Sequence, residues 1–141
     1  MTMMSVAEIT EHADELAESA EQLRAAVLLL TLSGYSRHAA GQAEPSTYCT
    51  WTAVLSACRN DQDRAGRIMA KLAGMLLLLG MAPRTTVITP QGEAGELVTV
   101  WEALADPTQT QVVLVMNHTA SILEQYAAGM RKALARHAGE R

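Results

Sequence analysis

The sequence predicts an all-α fold, four-helix-bundle-like, with one additional short helix or hairpin near residues 85–105. Two observations carry that prediction: apolar residues recur at spacings of three and four through most of the chain, and helix-capping signals stand in front of those stretches. Composition adds a third, because 141 residues with 49% hydrophobic and 18% charged side chains suit one folded domain with a real core. Residues 1–141 are therefore expected to form a single helical domain, with 1–4 and 138–141 as frayed tails.

The first helix has a well-marked start. Ser5 and Glu8 have capping-box spacing, and Met4 and Ile9 occupy the positions of a hydrophobic staple. Ile9, Ala13, Leu16, Ala20, Leu23 and Val27 then form one stripe that needs burial. Val27 to Leu30 and Leu32 are apolar on all sides, as expected of a helix end enclosed by neighbours, and Gly34 supplies a stop. Tyr35 to Pro45 lacks a period and reads as a long loop.

Ser46 is the expected cap of a second, shorter helix whose Tyr48, Trp51, Leu55 and Cys58 share a face. Asn60, Asp61 and Asp63 break and restart the chain. A third helix follows, marked by Ile68, Leu72, Met75, Leu76 and Leu79 and ending near Gly80 to Pro83. Ala70 and Gly74, four apart, are expected to let another helix approach closely. Arg84 to Thr89 is rich in β-branched residues and could pair with Glu96 to Val100 as a hairpin. The i, i+3, i+4, i+7 spacing of Leu97, Val100, Trp101 and Leu104 favours a helix over 96–105 instead.

The last helix is expected to begin with Asp106 as N-cap, Pro107 as first helical residue and Gln109 completing a capping box. Its stripe is Val112, Met116, Thr119, Leu123, Tyr126, Met130 and Leu134. Arg131, Lys132, Arg136 and His137 lie near the negative end of its dipole. The first and last helices, about 40 to 45 Å long at 1.5 Å per residue, exceed the roughly 37 Å diameter of a compact domain of this length. Their overhanging stripes are expected to be covered by a second copy, giving a homodimer built on one or both long helices.

Charge and cysteine content narrow the function. With 11 Lys and Arg against 15 Asp and Glu, the net charge of -4 draws the chain toward no phosphate backbone, so no nucleic-acid partner is expected. Leu72 to Ala82 is about half the roughly 20 residues of a membrane span, so no membrane association is expected either. Cys49 and Cys58 lack Cys-x-x-Cys spacing and read as buried thiols, and the first residues do not read as a secretory signal. Both point to a cytoplasmic protein.

The acidic ladder Glu8, Glu11, Asp14, Glu15, Glu18 and Glu21 is the most suggestive chemical feature. Clustered helical carboxylates hold Mg²⁺ in all-α nucleotide pyrophosphohydrolases, and Glu15-x-x-Glu18 has the local spacing. That reading would make Glu8, Glu15 and Glu18 catalytic and Glu8, His12 and Glu15 metal ligands. At 100° per residue, however, Glu11, Asp14, Glu18 and Glu21 lie opposite Ile9, Leu16, Leu23 and Val27 and are expected to face solvent. Neither a metal nor a cofactor is therefore expected. Trp51, Met75, Trp101, Met116 and Tyr126 could line a pocket for an apolar small molecule, although with no Phe in the chain core filling also needs them.

The expected function is a non-enzymatic interaction or regulatory module that self-associates or meets a protein partner through helical surfaces. A small hydrophobic-ligand-binding protein and a Mg²⁺-dependent nucleotide pyrophosphohydrolase are the alternatives.

Overall fold

The structure, a computed structural model, describes residues 4–36, 47–81 and 93–139. The described residues are all-α: α1 (Val6–Ser33), α2 (Thr50–Ala57), α3 (Gln62–Leu78), α4 (Glu93–Ala105) and α5 (Gln109–Gly139). Of the stripe predicted for α1, Ala13, Leu16, Ala20 and Leu23 are buried and Ile9 and Val27 partly so, while the buried face continues through Ala26 and Leu30. Ser5 caps the helix by accepting the Glu8 N–H at 3.1 Å. Gly34 ends it at φ +92°, a conformation closed to most side chains, while its N–H closes onto the Leu30 carbonyl at 2.8 Å.

The most extensive helix pairing is α1 against α5, and its polar links fix the direction as antiparallel. Gln109 Oε1 accepts the Tyr35 N–H at 3.0 Å at one end, and Arg131 reaches Asp14 at 2.9 Å near the other. Between them the Arg24 guanidinium donates to Asn117, Ser121 and Glu124. The two long helices thus cover much of each other's apolar stripe within the chain. The shorter helices lie against this hairpin, with α2 on α1, α3 on α5, and α4 chiefly on α3. Leu23, Leu30, Ile68, Leu72, Leu76, Leu97 and Met116 are fully buried where they meet.

Several expectations are corrected. Ser46 and the segment 85–92 lie outside the described residues, but α2 begins at Thr50 behind Cys49, whose N–H donates to Thr52 Oγ1 at 2.9 Å. Its buried face is Thr50, Ala53 and Val54, one step round from the face of Tyr48, Trp51 and Leu55, which are only partly buried. Tyr48 precedes the helix and forms an isolated parallel bridge with Tyr35. Residues 93–105 are helical, excluding a hairpin there, and the buried side of α4 is Leu97, Val98, Trp101 and Glu102, with Leu104 exposed.

Asp106 is not the cap of α5. It sits at φ +47°, and the capping box is two residues later, where Thr108 Oγ1 accepts the Gln111 N–H at 3.2 Å and Gln111 Oε1 accepts the Thr108 N–H at 2.8 Å. Pro107 lies before the helix rather than in its first turn. The proline sets φ on either reading, so the sequence signal was degenerate by two residues.

Leu28 and Leu32 are exposed, since α2 and α5 cover only one side of the end of α1. Ala70 and Gly74 face outward, and a Cβ added at Gly74 would meet nothing within 4 Å, so no helix of the chain makes the expected close approach there. Tyr126 is also exposed, its place on the stripe being taken by the buried Ala127. Among the described residues no helix is long and apolar enough to cross a membrane.

Candidate interaction surface

The acidic ladder of α1 is divided between its neighbours. Asp14 pairs with Arg131 of α5, and Glu15 with Lys71 and Glu18 with Arg64, both of α3, at 2.9, 2.9 and 2.5 Å. Glu8, Glu11 and His12 are exposed. Glu15 and Glu18 therefore tie α1 to α3 by ion pairs, and the angular placement of Glu18 toward solvent missed its partner because no second helix stood beside that face. Among the described residues no three His, Cys, Asp or Glu side chains come together as a metal site would need. Burial alone would push the Glu15 carboxyl up, but the Lys71 hydrogen bond and charge, with Ser19 and His12, outweigh it and hold the carboxyl below its ordinary value.

The five residues suggested for an apolar pocket are dispersed. Trp101 and Met116 belong to the central core, Met75 is buried on α3, Trp51 packs partly buried at the core's edge, and Tyr126 is exposed on α5. None of them lines an apolar groove found among the described residues.

That groove, of about 410 Å³, opens between the end of α3 and the first half of α5 and is lined by Leu79, Met81, Gln111, Leu114, Val115 and His118. Its α3 wall exists because Leu76 to Leu79 are four consecutive leucines. One helix face cannot bury them all, so Leu76 enters the core while Leu77, Leu78 and Leu79 remain open to solvent. Leu79 is the C-cap, and Gly80 at φ +70° turns the chain so that Met81 closes one side. On α5, Val115 faces the core, whereas Leu114, 68% exposed, stands at the lip. The leucine run was the sequence signal for this site, but it reads equally as core.

A second groove, also about 410 Å³, lies between α1 and the α2–α3 turn and is lined in part by Glu18, Glu21, Gln22, Cys58, Arg59 and Arg64. It is polar, and two of its charges, Glu18 and Arg64, already satisfy each other. Burial is the chief influence on the Cys58 thiol and pushes it up, with the surrounding charges partly opposing one another. The thiol is thus held in its unreactive protonated form. Both cysteines are free and buried.

Comparison of the chain with protein-family models, curated proteins and solved structures finds no match.

Proposed function

We propose that the protein is a non-enzymatic helical interaction module that self-associates through the apolar groove between α3 and α5. The observation that carries this reading is the collection of large apolar side chains left in water around one concavity, with Leu79, Met81 and Leu114 at its walls and Leu78, 80% exposed, beside it. Monomeric surfaces rarely leave such groups clustered, and apolar concavities with a polar rim are where partners dock. Here the rim is Gln111 and His118.

A second copy is the partner favoured, because an apolar groove with the exposed Leu114 at its own lip offers both a recess and a side chain to fill one, as a two-fold interface, in which one patch must complement itself, requires. On this proposal the homodimer uses α5, one of the two long helices, together with the end of α3. A cytoplasmic setting belongs to the same proposal and is supported by the two buried free thiols.

Sedimentation equilibrium at tens of micromolar tests it. The wild type is expected as a dimer and Leu114→Arg as a folded monomer with unchanged helical circular dichroism. A monomeric wild type refutes self-association. A hydrophobic small molecule is the second reading, favoured by the groove's volume, which lies in the range of ligand sites. It predicts a rise in melting temperature with an apolar ligand that is lost in Leu114→Arg.

A further inference from the structure

α4 is fastened to the rest of the chain by two unlike means. Leu97, Val98 and Trp101 bury themselves in the core, and between them and the exposed end of the helix lies Glu102, whose side is 96% removed from solvent, being only 4% exposed. Its Oε2 accepts the Tyr35 hydroxyl at 2.6 Å and lies 3.4 Å from the Thr50 N–H. One carboxyl thereby joins α4 both to the connection after α1 and to the first residue of α2. The Thr50 hydroxyl, buried beside it, finds no well-formed hydrogen-bond partner among the described residues.

We propose that Glu102 is a protonation-dependent latch: with its proton on, the carboxyl holds α4 closed over the core, and on ionisation it releases that helix toward solvent.

The surroundings supply the reason. Among the described residues the groups that face the carboxyl are Tyr35 and Thr50, with Tyr48 and Cys49 adjoining them in the chain, and none of these is a cation. α2 carries no charged residue. The buried face of α3 is wholly apolar; its Arg64 and Lys71 are turned to Glu18 and Glu15 on α1, and its Asp63 and Arg67 are exposed. With no described cation beside it, an ionised carboxylate is costly there, whereas the neutral acid has a proton to donate and Thr50 Oγ1 can accept it. Burial accordingly pushes the Glu102 carboxyl up, and the hydrogen bonds from Tyr35 and Thr50 only partly oppose it. The route to relief is short, since Ala103, Leu104 and Ala105 are already exposed. Release at that end draws out Trp101, the neighbour of Glu102 and 3% exposed when closed.

The sign follows from linkage. Closed α4 retains the proton above the ordinary glutamate value of 4.5, while opened α4 does not. The opening equilibrium therefore grows roughly tenfold per pH unit from there up to the carboxyl's value in the fold, and levels beyond it.

Hydrogen exchange of the full chain, read as protection factors across that range, tests the latch. The amides of α4 are expected to lose protection with rising pH in that proportion while those of central α5 do not. Glu102→Gln, which keeps the acceptor and supplies a permanent donor, is expected to keep α4 protected at every pH. Protection of α4 that is independent of pH in the wild type, or that falls equally in Glu102→Gln, overturns the proposal. Should the variant fail to fold, ¹³C carboxyl titration of the wild type decides: a Glu102 resonance titrating above 4.5 supports the latch, and one titrating at or below it overturns it.

Discussion

Leu30 and Leu32 are two residues apart on one helix, identical in chemistry and equally apolar in the sequence, yet the fold gives them opposite surroundings. Leu30 is 0% exposed and Leu32 is 75% exposed. Truncating Leu30 to alanine removes a fully packed side chain and leaves a cavity, at a cost of about 3 to 5 kcal/mol. At about 2.1 cal/mol/K of unfolding entropy per residue, a chain of 141 residues has an unfolding entropy near 0.3 kcal/mol/K. The melting temperature of Leu30→Ala should then fall by about 10 °C or more. Leu32→Ala removes a side chain mostly in water and should change stability by less than about 0.5 kcal/mol, or about 2 °C. Thermal unfolding followed by circular dichroism, on both variants at several protein concentrations, reads the difference. Equal losses would mean that the end of α1 is enclosed on all sides, and the packing of α1 described above would be wrong.

Other perturbations have equally definite outcomes. Thr108→Ala removes the cap of α5 and should cost about 1 kcal/mol, or about 3 °C by the same conversion; an unchanged melting temperature would return the cap to Asp106. Because the Glu15 carboxyl is held below its ordinary value, its pairing with Lys71 stabilises the fold above that value and is lost as pH falls through the lowered one. Lys71→Met should thus be slightly less stable than wild type near neutrality, by no more than about 1 kcal/mol at this partly exposed site, and the gap should close in acid. Both cysteines should alkylate at least about tenfold more slowly in the native protein than in denaturant. Fast native modification of Cys58 would contradict its burial.

The sequence makes legible whatever depends on one helix at a time. The Ser5 cap, the Ala13 to Val27 stripe and the Asp61 restart all follow from spacing along a single element, and Asp61 Oδ1 does accept the Arg64 N–H at 3.1 Å. What depends on a neighbour was hidden. Glu15 and Glu18 look like part of a solvated ladder until α3 brings Lys71 and Arg64 to them. Glu102 has the composition of a surface residue, and only the return of Tyr35 and Thr50 to α4 makes it a buried one. The groove escaped for the converse reason. Leucines are read as core by default, and Leu77 to Leu79 and Leu114 can be recognised as surface only when the direction of each helix is known.

The antiparallel pairing of α1 with α5 is the most extensive in the fold, and spin-label distances measure it directly. Nitroxides at Glu11 with Ala135, and at Glu11 with Thr110, are placed on exposed positions, with labelled chain diluted into unlabelled chain so that only distances within one molecule are read. Antiparallel pairing gives a short separation for the first pair and one longer by up to about 37 Å for the second, the rise of 25 helical residues. The reverse order, or two similar distances, would contradict it.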